Sequence, residues 1–215
     1  MKDNLISKSF MWMGIGLLVT FLTAYVVSIN ENMLLKVFSG VGYIICIVLE
    51  LALVIFLSAR ITKMSPTTAK IVFLLYSFVS GLTFSSIFIV YEVTSIMYIF
   101  LLTALVFGVL AFIGYTTKID LTKIGTYFFF GLIGAILFTI INAVFIHSST
   151  LELVISIVIL ILFVGITAHD IQKIKALEGS GLPEDNLAIY GALDLYLDFI
   201  NIFIELLQLF GENSD

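Results

Sequence analysis

Long runs of apolar residues, separated by short polar connections, make up most of the chain. A helix needs about 20 mostly apolar residues to cross the hydrocarbon core of a bilayer. Seven runs reach this length, at residues 10–29, 37–59, 71–91, 94–116, 124–146, 151–171 and 187–210. The pattern predicts an all-α membrane protein with seven transmembrane helices in one domain over 1–215. The longest connection, 173–186, is predicted to be a loop because it contains Gly, Ser and Pro.

The seventh run differs from the others because polar residues recur along it. They are Asp194, Asp198, Asn201, Glu205 and Gln208. This spacing places them on one face of a helix, and a carboxylate that faces lipid is costly in free energy. We therefore expect the C-terminal helix to be central, with the other six helices around it and its polar face along an internal track. Alternatively, Asn201 and Gln208 only hold helices together.

Composition supports a membrane protein and excludes several other classes. Of the 215 residues, 61% are hydrophobic, whereas soluble domains average roughly 45–50%. There is no basic patch of the kind that binds nucleic acid, and the single Cys46 excludes an intrachain disulfide. We expect a monomer whose surroundings are the lipid bilayer.

Motifs of membrane-embedded enzymes are missing. Intramembrane aspartyl proteases carry Tyr-Asp and Gly-x-Gly-Asp, but Asp170 follows His169 and Asp194 stands in GALD. The HExxH zinc motif and the Gly-x-Ser-Gly of rhomboid proteases are also absent. On a helix, His169 is expected to face away from Asp170, and His147 is expected to be solvated in an outer loop. The chain is therefore predicted to have no enzymatic activity and no cofactor.

Lysine and arginine residues gather in alternate connections. One side has Lys2, Lys8, Arg60, Lys63, Lys70, Lys118, Lys123, Lys173 and Lys175, and the other side has Lys36. This bias predicts a multi-pass protein of the cytoplasmic (plasma) membrane with its N-terminus in the cytoplasm. A helix over 187–210 is roughly 36 Å long, enough to cross and place the C-terminus outside. A re-entrant segment would return the C-terminus to the cytoplasm.

The few ionisable groups within the spans suggest a route for a cation. From the cytoplasmic side outward they are Arg60 and Asp170, then Glu50, Asp194 and Asp198, and finally Glu205. Carboxylate and amide oxygens are hard ligands suited to Ca²⁺ or Mg²⁺. Two carboxylates in a low dielectric share a proton, and Arg60 could neutralise such a pair as a latch that pH controls. The alternative role for Arg60 is a headgroup anchor.

Several segments resemble the Bax inhibitor-1 family, also called the transmembrane Bax inhibitor motif proteins, and its bacterial YetJ-type members. LYLDFINIFIELLQLFG at 195–211 is similar to the family's last helix, and AHDIQKIK at 168–175 to the end of its sixth helix. YSFVSGLTF at 76–84 resembles the third helix, and VLAFIGYTTKIDL at 109–121 the fourth helix and its loop. Glu50 in VLELALVIF matches an acidic position of the second helix. The similarity covers nearly the whole chain.

The resemblance implies a seven-helix bundle with a central last helix and a pH-sensitive calcium leak. The family's paired aspartates correspond to Asp170 and Asp198, which would sense pH and contact the metal ion. The family's latch arginine corresponds to Arg60. Asp194 departs from the family pattern and adds a carboxylate one turn from Asp198.

The expected function is a pH-sensitive calcium leak channel, with calcium ions and protons as its ligands. Its ion pathway would include Glu50, Asp194, Asn201 and Glu205. The alternatives are a proton-coupled cation transporter, such as a proton/calcium exchanger, and a regulatory membrane protein whose partners matter more than its flux.

Overall fold

Helices account for nearly all of residues 4–214, which are the residues that the computed structural model describes (the backbone alone for Asn4). They are α1 (Asn4–Ser28), α2 (Glu31–Phe38), α3 (Val41–Arg60), α4 (Pro66–Phe84), α5 (Ile87–Val90), α6 (Val93–Thr116), α7 (Thr122–Ile141), α8 (Ser149–Leu177) and α9 (Glu184–Phe210). A 3₁₀ turn (Ile61–Lys63) follows α3, and a π-helical turn (Asn142–Ile146) follows α7. Lys2, which contributes to the charge bias, lies outside the described residues.

Seven segments are long and apolar enough to cross a membrane. They are Leu5–Ser28, Val41–Lys63, Pro66–Val90, Val93–Thr116, Thr122–Ile146, Ser149–Leu177 and Glu184–Phe210. Each overlaps one predicted span, so the number of spans and the all-α fold class are confirmed. In the most apolar part of α9, 67% of residues are buried, against 11–39% in the other six. The last helix is therefore the central one, as its polar face predicted.

The sixth connection is shorter than the sequence suggested. Helix α8 continues to Leu177 and α9 begins at Glu184, so the loop covers 178–183 and not 173–186. Gly179 and Gly181 have φ angles of +82° and +80° in this loop, a region that favours glycine. Two carboxylates, Glu184 and Asp185, occupy the first turn of α9, where the helix dipole stabilises negative charge.

Helix α2 is an element that the sequence analysis did not predict. The side chain of Asn30 caps it by accepting a hydrogen bond of 3.2 Å from the backbone N–H of Met33. Glu31 stands in its first turn and Lys36 in its last, and both positions suit the helix dipole. None of its residues is buried. Because α2 has only eight residues, it is too short to appear as a span.

The described residues form two compact units. The first unit contains 4–93, 177–196 and 213–214, and the second contains 94–176 and 197–212. Helix α9 contributes its first half to the first unit and its second half to the second. The interpretation of 1–215 as a single domain stays a prediction.

In the first unit, α4 packs against both α1 and α3. Gly81 of α4 lies directly against α1, where a Cβ atom would come within 2.7 Å of the backbone oxygen of Thr20. The glycine therefore allows the two helices to approach each other closely.

Residues at the start of α9 and just after its end contact the two ends of the third span. At its start, Lys8 lies 2.9 Å from Glu184 and Lys70 lies 2.7 Å from Asp185. After its end, Asn213 pairs with Tyr91 in a β-bridge, and the N–H of Ser214 donates to the oxygen of Val90 at 2.9 Å. These contacts join the opposite ends of the same helix to opposite ends of the third span, so they favour a full crossing over a re-entrant segment.

In the second unit, aromatic side chains pack α6 against α9. The ring centre of Phe199 lies 5.2 Å from that of Phe100 and 5.5 Å from that of Phe107.

In the loop between α6 and α7, the hydroxyl and the backbone N–H of Thr122 donate hydrogen bonds to the carboxylate of Asp120. These bonds hold the pKa of Asp120 below its ordinary value. Asp120 is exposed, so it is a solvated loop carboxylate.

Candidate functional site

The carboxylates of α9 differ in burial. The side chain of Asp194 is half-buried, whereas Asp198 and Glu205 are 3% and 9% exposed. Asp198 stands near the middle of the 27-residue helix. Buried carboxylates within a membrane span are rare because desolvation is costly. Asp198 and Glu205 are therefore the strongest candidates for function on this helix.

Asn201 and Gln208 make different contacts from those carboxylates. The amide of Asn201 donates to the backbone oxygen of Leu197, one turn earlier, at 2.7 Å. Gln208 is exposed and contacts α8. Joining helices, the alternative role considered for these two residues, fits Gln208 and not Asn201. The place of Asn201 in an ion pathway stays a prediction.

Asp170, on α8, is held by its neighbour in the chain. The imidazole Nδ1 of His169 lies 2.8 Å from Asp170 Oδ1, with the two side chains 22% and 14% exposed. The expectation that His169 faces away from Asp170 is therefore wrong. Gly125 of α7 explains the observed orientation of the His169 ring, since any Cβ at position 125 would collide with the imidazole. The missing side chain leaves room for the ring to lie across the helix surface toward Asp170.

Asp170 and Asp198 both belong to the second unit, on α8 and α9. His147, the other histidine, lies between α7 and α8 and is exposed, as expected for a solvated loop residue. Among residues 4–214, no three His, Cys, Asp or Glu side chains form a group that could hold a metal ion. The role of the two aspartates as a pH sensor and ion contact stays a prediction.

Arg60 ends α3 and is exposed. The turn after it is fixed by Asn186 of α9, whose amide nitrogen donates to the backbone oxygens of Ile61 at 2.5 Å and Met64 at 2.9 Å. Asn186 is fully buried, and the sequence analysis assigned it to a loop. Its position at the start of an apolar run was the signal that could have identified it. The latch role of Arg60 stays a prediction.

Glu50 lies between α3 and α4 in a cluster of hydroxyl groups. Ser80 donates to its Oε1 at 2.6 Å, and Thr83 donates to its Oε2 at 2.9 Å. Both carboxylate oxygens therefore have partners from the neighbouring helix. This arrangement joins helices by itself, and a role for Glu50 in the ion pathway stays a prediction.

A second group of hydroxyls lies in the same unit, around the wholly buried Tyr196 of α9. Its phenol oxygen is 2.7 Å from the hydroxyl of Thr20 on α1, which also lies 2.9 Å from the backbone oxygen of Ser77 on α4. The rings of Phe73 and Tyr76 pack edge-on against Tyr196. Tyr196 belongs to the LYLD segment, so part of that segment's role is to hold three helices together.

A polar cavity of about 350 Å³ lies near the end of α9, beside the π-helical turn and the start of α8. Glu152, Ser156, Glu205 and Gln208 are among its lining residues. Oε2 of Glu205 is buried, and it has no hydrogen-bond partner among the described residues. Glu205 and Gln208 were predicted from their spacing, whereas Glu152 and Ser156 were not. Glu152, a charge in the first turn of an apolar helix, was the available signal.

Comparison with known proteins identifies the family. The family described as "Inhibitor of apoptosis-promoting Bax1" matches residues 2–215. The inner membrane protein YbhL of Escherichia coli (strain K12) is 42% identical over 206 residues, which cover 93% of this chain and 88% of YbhL. An uncharacterized protein of Borreliella burgdorferi is 39% identical over 219 residues, covering 100% of this chain and 94% of that protein. An uncharacterized membrane protein of Streptococcus pyogenes serotype M1 is 37% identical over 211 residues, covering 96% and 90%. These full-length similarities and the seven apolar helices show that the chain is a multi-pass membrane protein of the Bax inhibitor-1 family.

Proposed function

We propose that this protein is a pH-sensitive calcium leak channel of the cytoplasmic membrane, working as a monomer with its N-terminus in the cytoplasm. Asp170 and Asp198 share a proton and form the gate, and Arg60 is the latch. The observation that carries the proposal is the burial of Asp198, which is 3% exposed near the middle of the most buried span. A carboxylate in that position carries a desolvation cost, and groups of this kind mark ion and proton pathways.

The chemistry of the Asp170–Asp198 pair explains how one site could respond to both protons and Ca²⁺. Protons and Ca²⁺ compete for the same carboxylate oxygens, and two nearby carboxylates in a low dielectric cannot both stay ionised without a compensating charge. Ca²⁺ accepts six to eight oxygen ligands. With few protein ligands available among residues 4–214, the ion would keep much of its water. Weak binding of this kind suits permeation.

The alternative function is proton-coupled cation transport, and one observation favours it. The imidazole of His169 lies 2.8 Å from Asp170, and histidine changes its charge near neutral pH. A histidine paired with an aspartate can pass a proton, which a simple leak does not need. The two functions therefore differ in whether a proton moves with each cation.

Calcium flux into liposomes that contain the purified protein tests the gate. We expect Asp170→Asn and Asp198→Asn each to change both the flux and its dependence on pH. Because the pair titrates as one unit, the double variant should lose less than the sum of the two single losses. Asp120→Asn, which alters an exposed loop carboxylate, is the matched control. An unchanged pH profile in both single variants would overturn the proposed gate.

The same preparation separates the alternative functions. A leak dissipates a calcium gradient when the pH is equal on both sides. An exchanger moves protons in the opposite direction as each calcium ion crosses, so it acidifies or alkalises the liposome as calcium moves. A regulatory protein shows neither flux. Calcium movement that is always accompanied by a fixed counter-movement of protons would favour the exchanger over the leak.

The latch is tested by substitution of Arg60. Arg60→Ala should raise the leak at the pH where the channel is closed, because the charge that neutralises the carboxylates is lost. Arg60→Lys should restore closure only in part, since lysine lacks the bidentate fork of the guanidinium group. Lys63→Ala removes a neighbouring exposed cation and is the control. A wild-type leak with lower expression for Arg60→Ala would assign Arg60 to anchoring at the headgroups.

A further inference from the structure

The polar cavity at the end of α9, which we call the outer vestibule, lies on the side of the membrane that the charge bias predicts to be external. Its volume of about 350 Å³ could hold on the order of ten water molecules, at roughly 30 Å³ each. Among the described residues, its acidic lining residues are Glu152 and Glu205, and its only other titratable lining residue is His147. No lysine or arginine is found among the described residues that line it. The space therefore suits a hydrated cation.

Glu205 gives the vestibule a buried group with unused bonding capacity. Its side chain is 9% exposed. Its Oε2 atom is buried and accepts no hydrogen bond from any described residue. A buried acceptor without a donor costs free energy, and a cation or its water shell in the cavity would remove that cost. The free oxygen thus points to a ligand that the chain does not itself supply.

Hydrogen bonds hold the rest of the vestibule in place. The hydroxyl of Ser156 donates to Oε1 of Gln208 at 2.9 Å, and Nε2 of Gln208 donates to Oε1 of Glu152 at 3.3 Å. Gln208 therefore keeps the exposed Glu152 beside the cavity that Glu205 lines from within. Two carboxylates, an amide and a hydroxyl are hard oxygen ligands, which favour Ca²⁺ and similar ions over softer metals.

We propose that the outer vestibule is a binding site for a hydrated divalent cation, held between Glu152 and Glu205. Only two of the lining side chains that the structure describes are acidic, so the ion keeps part of its water shell. A site of this kind binds calcium at the weak end of the known range, with dissociation constants of about 10⁻⁴–10⁻³ M. Binding stands on the geometry of the vestibule alone. Its consequence, an increased cation concentration at the channel entrance, rests on the proposed function.

Mn²⁺ is the probe for the test because it is a paramagnetic divalent cation that also prefers oxygen ligands. In a Cys46→Ala background, a nitroxide label is attached to cysteine at position 144, where the native Val144 is exposed beside the cavity lining. A second preparation carries the label at position 180, on the exposed loop before α9. Both are held in nanodiscs of uncharged phosphatidylcholine, so that the lipid does not bind the ion.

We expect Mn²⁺ to broaden the nitroxide spectrum at position 144 with a midpoint in the submillimolar range, and Ca²⁺ to reverse the effect. Glu205→Gln and Glu152→Gln should each weaken this response about tenfold. Glu31→Gln, which alters an exposed carboxylate on α2, should not change it. The label at position 180 should show only the small broadening caused by free Mn²⁺.

Equal broadening at positions 144 and 180, or an unchanged response in both Gln variants, would overturn the vestibule site. If Glu205→Gln fails to fold, the exposed Glu152→Gln variant decides the question. Calcium flux measured on the same protein separates the two proposals. Calcium flux without Mn²⁺ binding at the vestibule would support the leak channel and exclude the vestibule site. Binding without flux would support the vestibule site and exclude the leak channel.

Discussion

Glu50 and Glu205 are both glutamates within apolar helices, but their surroundings differ. Both oxygens of Glu50 accept hydrogen bonds from hydroxyls of α4, at 2.6 and 2.9 Å. Oε2 of Glu205 is buried and accepts none from the described residues. The first carboxylate is occupied in joining helices, and the second has capacity left for a ligand. Burial within a span therefore does not by itself distinguish a structural carboxylate from a functional one, and the partners of each oxygen must be known.

The largest effect should come from removing the charge of Glu50. In Glu50→Gln the amide nitrogen cannot accept a hydrogen bond, so Ser80 or Thr83 loses its acceptor. We expect a loss of about 1–3 kcal/mol in the free energy of unfolding, or roughly 2–12 °C in Tm for a chain of this length. Glu205→Gln should leave Tm almost unchanged, because no donor loses its partner at Oε2. Thermal unfolding in mild detergent measures the Tm of both variants. An equal decrease in Tm for Glu50→Gln and Glu205→Gln would contradict the distinction between the two glutamates.

A smaller effect should come from His169, which gives Asp170 an engaged oxygen of the same kind as those of Glu50. In His169→Phe the aspartate loses its partner 2.8 Å away. A hydrogen bond to a charged group contributes about 1.5–3 kcal/mol. We therefore expect the midpoint of the flux–pH curve to shift by about one to two units. His147→Phe, at the exposed histidine, should leave the midpoint in place. A midpoint that moves equally in both variants would show that Asp170 does not depend on this contact.

The smallest effect should come from Asp194, which is half-buried one turn before Asp198. Removing a like charge about 6 Å away along the helix axis makes protonation of the pair less favourable. Asp194→Asn should therefore move the flux–pH midpoint to lower pH by a few tenths of a unit and weaken calcium binding. If Asp194 only solvates the helix end, the midpoint and the calcium affinity both keep their wild-type values.

The sequence predicted the large elements because their cause is local. An apolar run of sufficient length must cross the membrane, and carboxylates spaced along one face must avoid lipid. Both causes act within a single segment, so the seven spans and the central position of α9 could be predicted from the sequence. They also selected Asp198 and Glu205, the two most buried carboxylates of that helix.

The details that sequence reasoning missed depend on contacts between distant segments. Ser80 lies 30 residues from Glu50, and Ser156 lies 52 residues from Gln208, so no spacing along the chain indicates either contact. The orientation of His169 depends on the missing side chain of Gly125 on another helix. Helix α2 was missed for a different reason, since its eight residues are fewer than the length that a search for spans requires.

The distribution of α9 over both units has a consequence for biosynthesis. Helix α9 follows every other helix in the chain, and with a mean hydropathy of 1.6 it is the least apolar of the seven segments. It also supplies fully buried side chains to the first unit, such as Tyr196, and to the second, such as Ile202. Neither core can be complete until the ribosome has released the C-terminal segment. The earlier helices must therefore remain only partly packed in the bilayer until α9 is inserted. A chain that is truncated before α9 would expose both incomplete cores to quality-control proteases.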